Sequence, residues 1–157
     1  MHRTSLVVTA GFLALLCGYL PARANANDRP VVRIETGELR GVAEDGIQRF
    51  LGIPFAAPPV GELRWRYPQP ALTWQGVRDA SRPGHACPQH IGAYDAAWVN
   101  EALEAAGLDE DCLTLNIWAP ASPGKPLPVM FYMHGGNMQA GSNVMPLYDG
   151  TVLAREG

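Results

Sequence analysis

The chain has 157 residues, of which 47% are hydrophobic and 17% are charged, and its formal net charge is −3. This composition is typical of one globular domain and excludes an intrinsically disordered chain, which lacks the apolar side chains that a core needs. The slightly acidic balance provides no basic surface, so we expect no nucleic-acid partner.

The start of the chain has the features of a signal peptide over residues 1–26. Arg3 supplies a short basic start, and residues 6–20 form an apolar stretch that is too short to span a bilayer comfortably. Ala24-Asn25-Ala26 has the small-x-small form of a cleavage site. A membrane anchor or a buried helix is the alternative interpretation. We expect cleavage after Ala26, with cleavage after Ala24 as the alternative. We also expect export to the periplasm or the medium, and no membrane association after the signal peptide is removed.

Turn signals divide the next segment into short strands. Strands are expected at residues 31–35 and 39–43, and a third at 47–51 follows an Asp45-Gly46 turn. We expect these strands to form a small antiparallel meander that leads into the main sheet.

Residues 52–70 contain five prolines, a density that forbids a regular helix or a central strand. Aromatic and apolar residues alternate with the prolines, which indicates an ordered loop and not a flexible linker. The residues expected to pack are Ile53, Phe55, Val60, Leu63 and Trp65.

The second half of the chain predicts helices and strands in turn. Residues 96–106 are rich in Ala, Leu and Glu and predict a helix that Asp95 can cap and Gly107 can end. Residues 113–118 predict a strand. Residues 149–156 predict a short helix whose first residue, an Asp, can cap it.

Five consecutive apolar residues, 129–133, run directly into His134-Gly135-Gly136-Asn137. The apolar run is too short for a helix and does not alternate, which is typical of a strand buried on both faces of a parallel sheet. A loop at the carboxyl end of such a strand is where open α/β sheets bind ligands. An ordinary glycine turn after a buried strand is the alternative.

Residues 52–64, 110–117 and 128–137, in this order, closely resemble the N-terminal part of the type-B carboxylesterase and cholinesterase family of α/β-hydrolases. The resemblance implies an α/β fold, namely the N-terminal portion of an α/β-hydrolase. It also implies that a serine enzyme hydrolyses small-molecule carboxylic esters through an acyl-enzyme, with no metal or cofactor.

The resemblance further implies that the backbone N–H groups of Gly136 and Asn137 form part of an oxyanion hole, with Gly135 giving the chain room. Asn137 stands where glycine is commonest, but it keeps the backbone donor and tolerates positive φ better than most residues. Its side chain is expected to affect acyl-size preference. A phosphate-binding loop is the competing hypothesis, and the sequence lacks the Lys-Ser/Thr that such a loop needs.

Two residue pairs are candidates for structural links. Removal of the signal peptide takes Cys17 away and leaves Cys87 and Cys112, and an even cysteine count in an exported protein predicts a disulfide. Two free buried thiols are the alternative. The family resemblance implies an ion pair between Arg64 and Glu110, with two solvated surface charges as the alternative.

The sequence contains no nucleophile elbow. The elbow of this family is Gly-x-Ser-x-Gly, and no serine is flanked in that way. The serines are Ser5, Ser81, Ser122 and Ser142. All four histidines also precede the region where the family keeps its catalytic base. We therefore expect residues 27–157 to be part of a longer esterase, truncated before the elbow and inactive alone. A non-catalytic, esterase-like adhesion or binding protein is the alternative.

Overall fold

A computed structural model describes residues 29–92 and 96–156. In these ranges the strands are β1 Val31–Ile34, β2 Gly37–Arg40, β3 Val42–Glu44, β4 Ile47–Pro54, β5 Val77–Asp79 and β6 Thr114–Pro120. The helices are α1 Ala97–Ala106 and α2 Thr151–Glu156, and short 3-10 turns cover Gly61–Leu63 and Pro146–Tyr148. The predicted signal peptide and the predicted helix cap Asp95 lie outside the described residues.

The strands form two small sheets. One sheet has the order β1-β2-β5, with β1 antiparallel and β5 parallel to β2. The other has the order β3-β4-β6 and is antiparallel throughout. The predicted antiparallel pairs are therefore present, but the expected strand 39–43 is split at Gly41 between the two sheets. A Cβ at Gly41 would lie 2.4 Å from the carbonyl oxygen of Arg49, so only glycine fits where the chain crosses here.

Strand β4 bends in its middle and continues to Pro54, beyond the predicted end at residue 51. The register against β6 shifts between Phe50 and Ile53, and Gly52 within this bulge has φ of 67°. The N–H of Gly52 donates to the side-chain oxygen of Asn116 at 2.9 Å. The pairing of β4 with β6 is thus interrupted at the bulge and resumes at Ile53.

Two apolar cores hold these elements. The first lies under the β1-β2-β5 sheet and contains the buried residues Leu39, Phe50, Ile53 and Ala80. The second packs α1 against the segment that precedes α2, and its buried residues are Ala86, Val99, Leu103 and Met145. The predicted helix 96–106 is confirmed as α1, and the N–H of Gly107 ends it by donating to the carbonyl groups of Leu103 and Glu104.

The predicted buried strand at residues 129–133 is wrong for the described chain. No strand within residues 29–92 and 96–156 pairs with this segment, and its five side chains are between 59% and 91% exposed. The physical reason is that a strand is held by hydrogen bonds to a neighbouring strand, so strong β-propensity alone leaves it extended and unpaired. The segment still leads into residues 134–141, which we call the glycine loop.

The proline-rich segment also packs less than predicted. Ile53 is buried within β4, but Phe55, Val60 and Trp65 are 54%, 43% and 96% exposed. The density of prolines correctly excluded a regular helix. It does not indicate which side chains of the loop face the sheet, so the packing of these residues could not be predicted from it. Trp65 is also held at φ of 61°, within a turn that follows the 3-10 segment.

Candidate functional site

The glycine loop forms a tight turn with left-handed backbone. Gly136, Asn137 and Met138 have φ of 122°, 52° and 56°. The N–H groups of Gln139 and Ala140 both donate to the carbonyl oxygen of Gly136, at 3.0 and 3.1 Å. Asn137 therefore adopts the conformation that Asn accepts more readily than most side chains.

Two consecutive N–H groups of this turn are free. Among the described residues, those of Gly136 and Asn137 donate to no protein acceptor. Successive unpaired backbone N–H groups in a turn are an arrangement that binds anions. The carbonyl of Gly135 and the N–H of Gly136 belong to one planar peptide unit. Nδ1 of His134 lies 2.8 Å from that carbonyl oxygen, and the tautomer with hydrogen on Nδ1 donates to it and so helps to fix the orientation of the Gly136 N–H.

Aromatic rings hold the start of the loop. The His134 ring stacks near Tyr148, with a centroid distance of 6.3 Å and an interplanar angle of 23°. Tyr132 also contacts Tyr148, with the centroids 5.3 Å apart. Tyr148 itself packs against the second core, so this contact connects an exposed segment to a buried one.

Two asparagines fasten the end of the loop to strand β6. The side-chain NH2 of Asn143 donates to the Thr114 carbonyl at 2.8 Å, and that of Asn116 donates to the Asn143 carbonyl at 3.0 Å. Sequence reasoning missed both residues, because nothing local indicates that the Asn116 side chain bonds to a backbone carbonyl 27 positions away. Ser142, between the loop and this network, is only 5% exposed.

Cys87 and Cys112 form a disulfide, with their Cα atoms 5.1 Å apart. The alternative of two free thiols does not hold in this structure. The loop closed by the disulfide contains α1, and α1 packs through Val99 and Leu103 into the core that also contains Met145. The disulfide loop therefore lies against the chain that leaves the glycine loop.

Arg64 and Glu110 meet at the surface. One guanidinium nitrogen, Nη2, donates to Glu110 Oε2, and the two side chains are 54% and 34% exposed. The hydrogen bond to Glu110 raises the pKa of the Arg64 guanidinium above its ordinary value. The contact is neither buried nor bidentate, so solvent screens it and its contribution to stability is small.

The described residues do not assemble a complete hydrolytic site. None of their serine hydroxyls hydrogen-bonds a histidine ring, and the His85 ring bonds instead to the carbonyl of Ala106 at 2.9 Å. The same ranges hold no group of three or more His, Cys, Asp or Glu side chains placed to bind a metal. Across residues 29–92 and 96–156 no helix has the length and apolar character that crossing a membrane requires.

Cavities also lie away from the glycine loop. One of about 310 Å³ is bordered by residues that include Arg78, Arg82 and His85, and another of about 360 Å³ surrounds the β1–β2 turn near Trp74. Neither is lined by the glycine loop, whose outer side is open. The described residues thus supply a turn with two free backbone N–H groups, without the walls of a substrate pocket.

Similarity to solved structures shows that the fold is the N-terminal portion of an α/β-hydrolase. A solved structure of a PNB esterase matches with a TM-score of 0.73 and 38% identity, over 80% of this chain and 25% of that one. A thermophilic PNB esterase matches with a TM-score of 0.72 and 37% identity, over the same shares. The profile of the carboxylesterase family matches residues 28–157, so this chain belongs to that family.

The names of similar proteins are consistent with membership of this family. Fumonisin B1 esterase of Sphingopyxis macrogoltabida is 46% identical over 140 residues, which are 88% of this chain and 25% of that protein. Para-nitrobenzyl esterase of Bacillus subtilis (strain 168) is 39% identical over 127 residues, which are 81% of this chain and 25% of that protein. The chain therefore spans about a quarter of the length of these relatives.

Proposed function

We propose that the intact protein to which these residues belong is an exported serine carboxylesterase. It hydrolyses small-molecule carboxylic esters through an acyl-enzyme, and the described residues supply part of its oxyanion hole. The observation that carries this proposal is the glycine loop, in which the N–H groups of Gly136 and Asn137 are adjacent and free in a family whose named relatives are esterases.

The chemistry of the loop follows from where charge appears. When a serine oxygen attacks an ester carbonyl, the carbonyl oxygen gains a negative charge that it lacks in the substrate. Backbone donors already fixed in position stabilise this charge without reorganising, and one such donor contributes about 3–4 kcal/mol to the barrier reduction. Gly136 and Asn137 provide two donors, and a third comes from the residue that follows the nucleophile. The nucleophile, acid and base are expected downstream of residue 157.

The proposed export has separate support. A disulfide persists in oxidising compartments such as the periplasm or the medium and is rare in the reducing cytosol. Cys87 and Cys112 are bonded, which agrees with export of the chain after loss of the expected signal peptide 1–26. N-terminal sequencing of the exported protein should find Asn27 first. Finding Met1 or His2 there would overturn the cleavage site.

The test uses the intact protein and a p-nitrophenyl ester. We expect a burst of nitrophenolate that approaches the number of sites, followed by steady turnover, because an activated p-nitrophenyl ester acylates the serine faster than the acyl-enzyme hydrolyses. A fluorophosphonate should label one serine and remove the activity.

The competing function is a non-catalytic, esterase-like adhesion or binding protein. It predicts a folded intact protein that is neither labelled by the fluorophosphonate nor active on any of a series of acyl chain lengths. That result would overturn the proposed hydrolase.

A further inference from the structure

The Gln89 side chain hydrogen-bonds to both the backbone N–H and the backbone carbonyl of Gly141 in the glycine loop. The Gly141 N–H donates to Gln89 Oε1 at 2.7 Å, and Gln89 Nε2 donates to the Gly141 carbonyl at 2.9 Å. The same Nε2 also donates to the Cys87 carbonyl at 3.0 Å. All three contacts involve a partly buried side chain that lies two positions after the disulfide cysteine.

Gly141 in turn lies directly against the start of the loop. A Cβ built on Gly141 would be 2.6 Å from the Gly135 carbonyl oxygen and 2.7 Å from His134 Nδ1. The space between Gly141 and these groups is too small for a side chain, so a displacement of Gly141 towards them pushes against the Gly135 carbonyl. That carbonyl belongs to the same planar peptide as the Gly136 N–H.

We propose that Gln89 is a positioning residue for the oxyanion loop, acting through Gly141 on the peptide that carries the Gly136 donor. The inference rests on the proposed esterase function. Gln89 does not touch substrate in this proposal. Its side chain ties Gly141 to the backbone beside Cys87, and this link restricts movement of the peptide that carries the Gly136 N–H. A side-chain amide suits this task because it presents one acceptor and one donor in a single plane, matching the N–H and carbonyl of Gly141.

The primary test compares two substitutions in the intact protein. Gln89→Leu removes all three hydrogen bonds with little change in volume. Gln69→Leu is the control, because Gln69 is an exposed glutamine whose side chain bonds only to the Tyr67 carbonyl. We expect Gln89→Leu to lower kcat by up to about 10²-fold, since displacement of a reacting group by about 1 Å costs that much, with KM nearly unchanged. Gln69→Leu should alter neither constant.

A second substitution separates positioning from general stability. In Gln89→Glu, the ionised carboxylate can still accept from the Gly141 N–H, but it cannot donate to the carbonyls of Gly141 and Cys87. Protonation restores a donor. The kcat of this variant relative to wild type, at the same pH, should therefore rise as the pH is lowered from about 8 to about 5.

Amide hydrogen exchange of the 134–141 peptide in the intact protein provides a readout independent of turnover. Gln89→Leu should speed exchange there, and Gln69→Leu should not. If the wild-type protein shows no hydrolysis, the proposed function fails, and exchange alone decides the role of Gln89. The positioning role is overturned if a folded Gln89→Leu variant exchanges like wild type in this peptide. It is equally overturned if exchange quickens but kcat holds, or if the loss is confined to KM or to melting temperature.

Discussion

Gly141→Ala in the intact protein probes how tightly the glycine loop is packed. The added Cβ would lie 2.6 Å from the Gly135 carbonyl oxygen, and an ordinary contact requires at least 3.4 Å. One of the two backbones must therefore move by about 1 Å, a displacement that can lower the rate by about 10²-fold when it reaches a catalytic group. The backbone of Gly141 is also at φ of 109°, and holding a side chain there costs about 1–3 kcal/mol.

The strain and the displacement can be separated by a matched control. Gly124 also has positive φ, at 61°, but a Cβ built on it meets nothing within 4 Å. Gly124→Ala therefore carries a backbone penalty with no steric contact. Both variants should unfold at lower temperature than wild type, whereas only Gly141→Ala should lose kcat.

The assay is steady-state hydrolysis of p-nitrophenyl acetate, with melting temperatures measured on the same preparations. KM should change little in Gly141→Ala, because the oxyanion donors act on the transition state and not on the bound ester. A folded Gly141→Ala variant with wild-type kcat would show that the Gly135–Gly136 peptide is not held by Gly141, and the reasoning would be refuted.

Further outcomes follow from the loop, the disulfide and the isolated chain. In the intact protein, Gly136→Val should lower kcat strongly. Asn137→Gly should keep turnover and mainly shift acyl preference, because the proposed donors are main-chain groups. Loss of turnover in a folded Asn137→Gly variant would contradict this. A non-reduced digest should yield the Cys87 and Cys112 peptides joined, and replacing both with Ser should lower the free energy of unfolding by about 3–4 kcal/mol in a urea titration. Residues 27–157 alone should hydrolyse p-nitrophenyl acetate no faster than background; saturable turnover from a monomeric gel-filtration peak, removed by a serine-directed inhibitor, would show that the nucleophile lies within them.

Local signals in the sequence determined the elements that neighbouring residues can stabilise alone. Helix α1 ends at Gly107 as expected, because the end of a helix depends on φ and on carbonyls within one turn. The N–H of Thr151 donates to the Asp149 carboxylate at 2.8 Å at the start of α2, which is again a contact between near neighbours. The hydrogen bonds from Thr151 help to lower the pKa of Asp149 although partial burial opposes them.

Tertiary structure decided everything that depends on distant partners. Residues 129–133 have the composition of a buried strand, yet they lie exposed because burial and pairing are properties of neighbours and not of the segment. Two further features join residues far apart in sequence, namely the parallel pairing of β5 with β2 and the hydrogen bonds between Gln89 and Gly141. No local sequence pattern predicts either of them. The sequence alone therefore predicted, through the family resemblance, that the glycine loop carries oxyanion-hole donors. Only the fold showed which residues contact the loop, because the atoms around it come from parts of the chain that folding alone brings together.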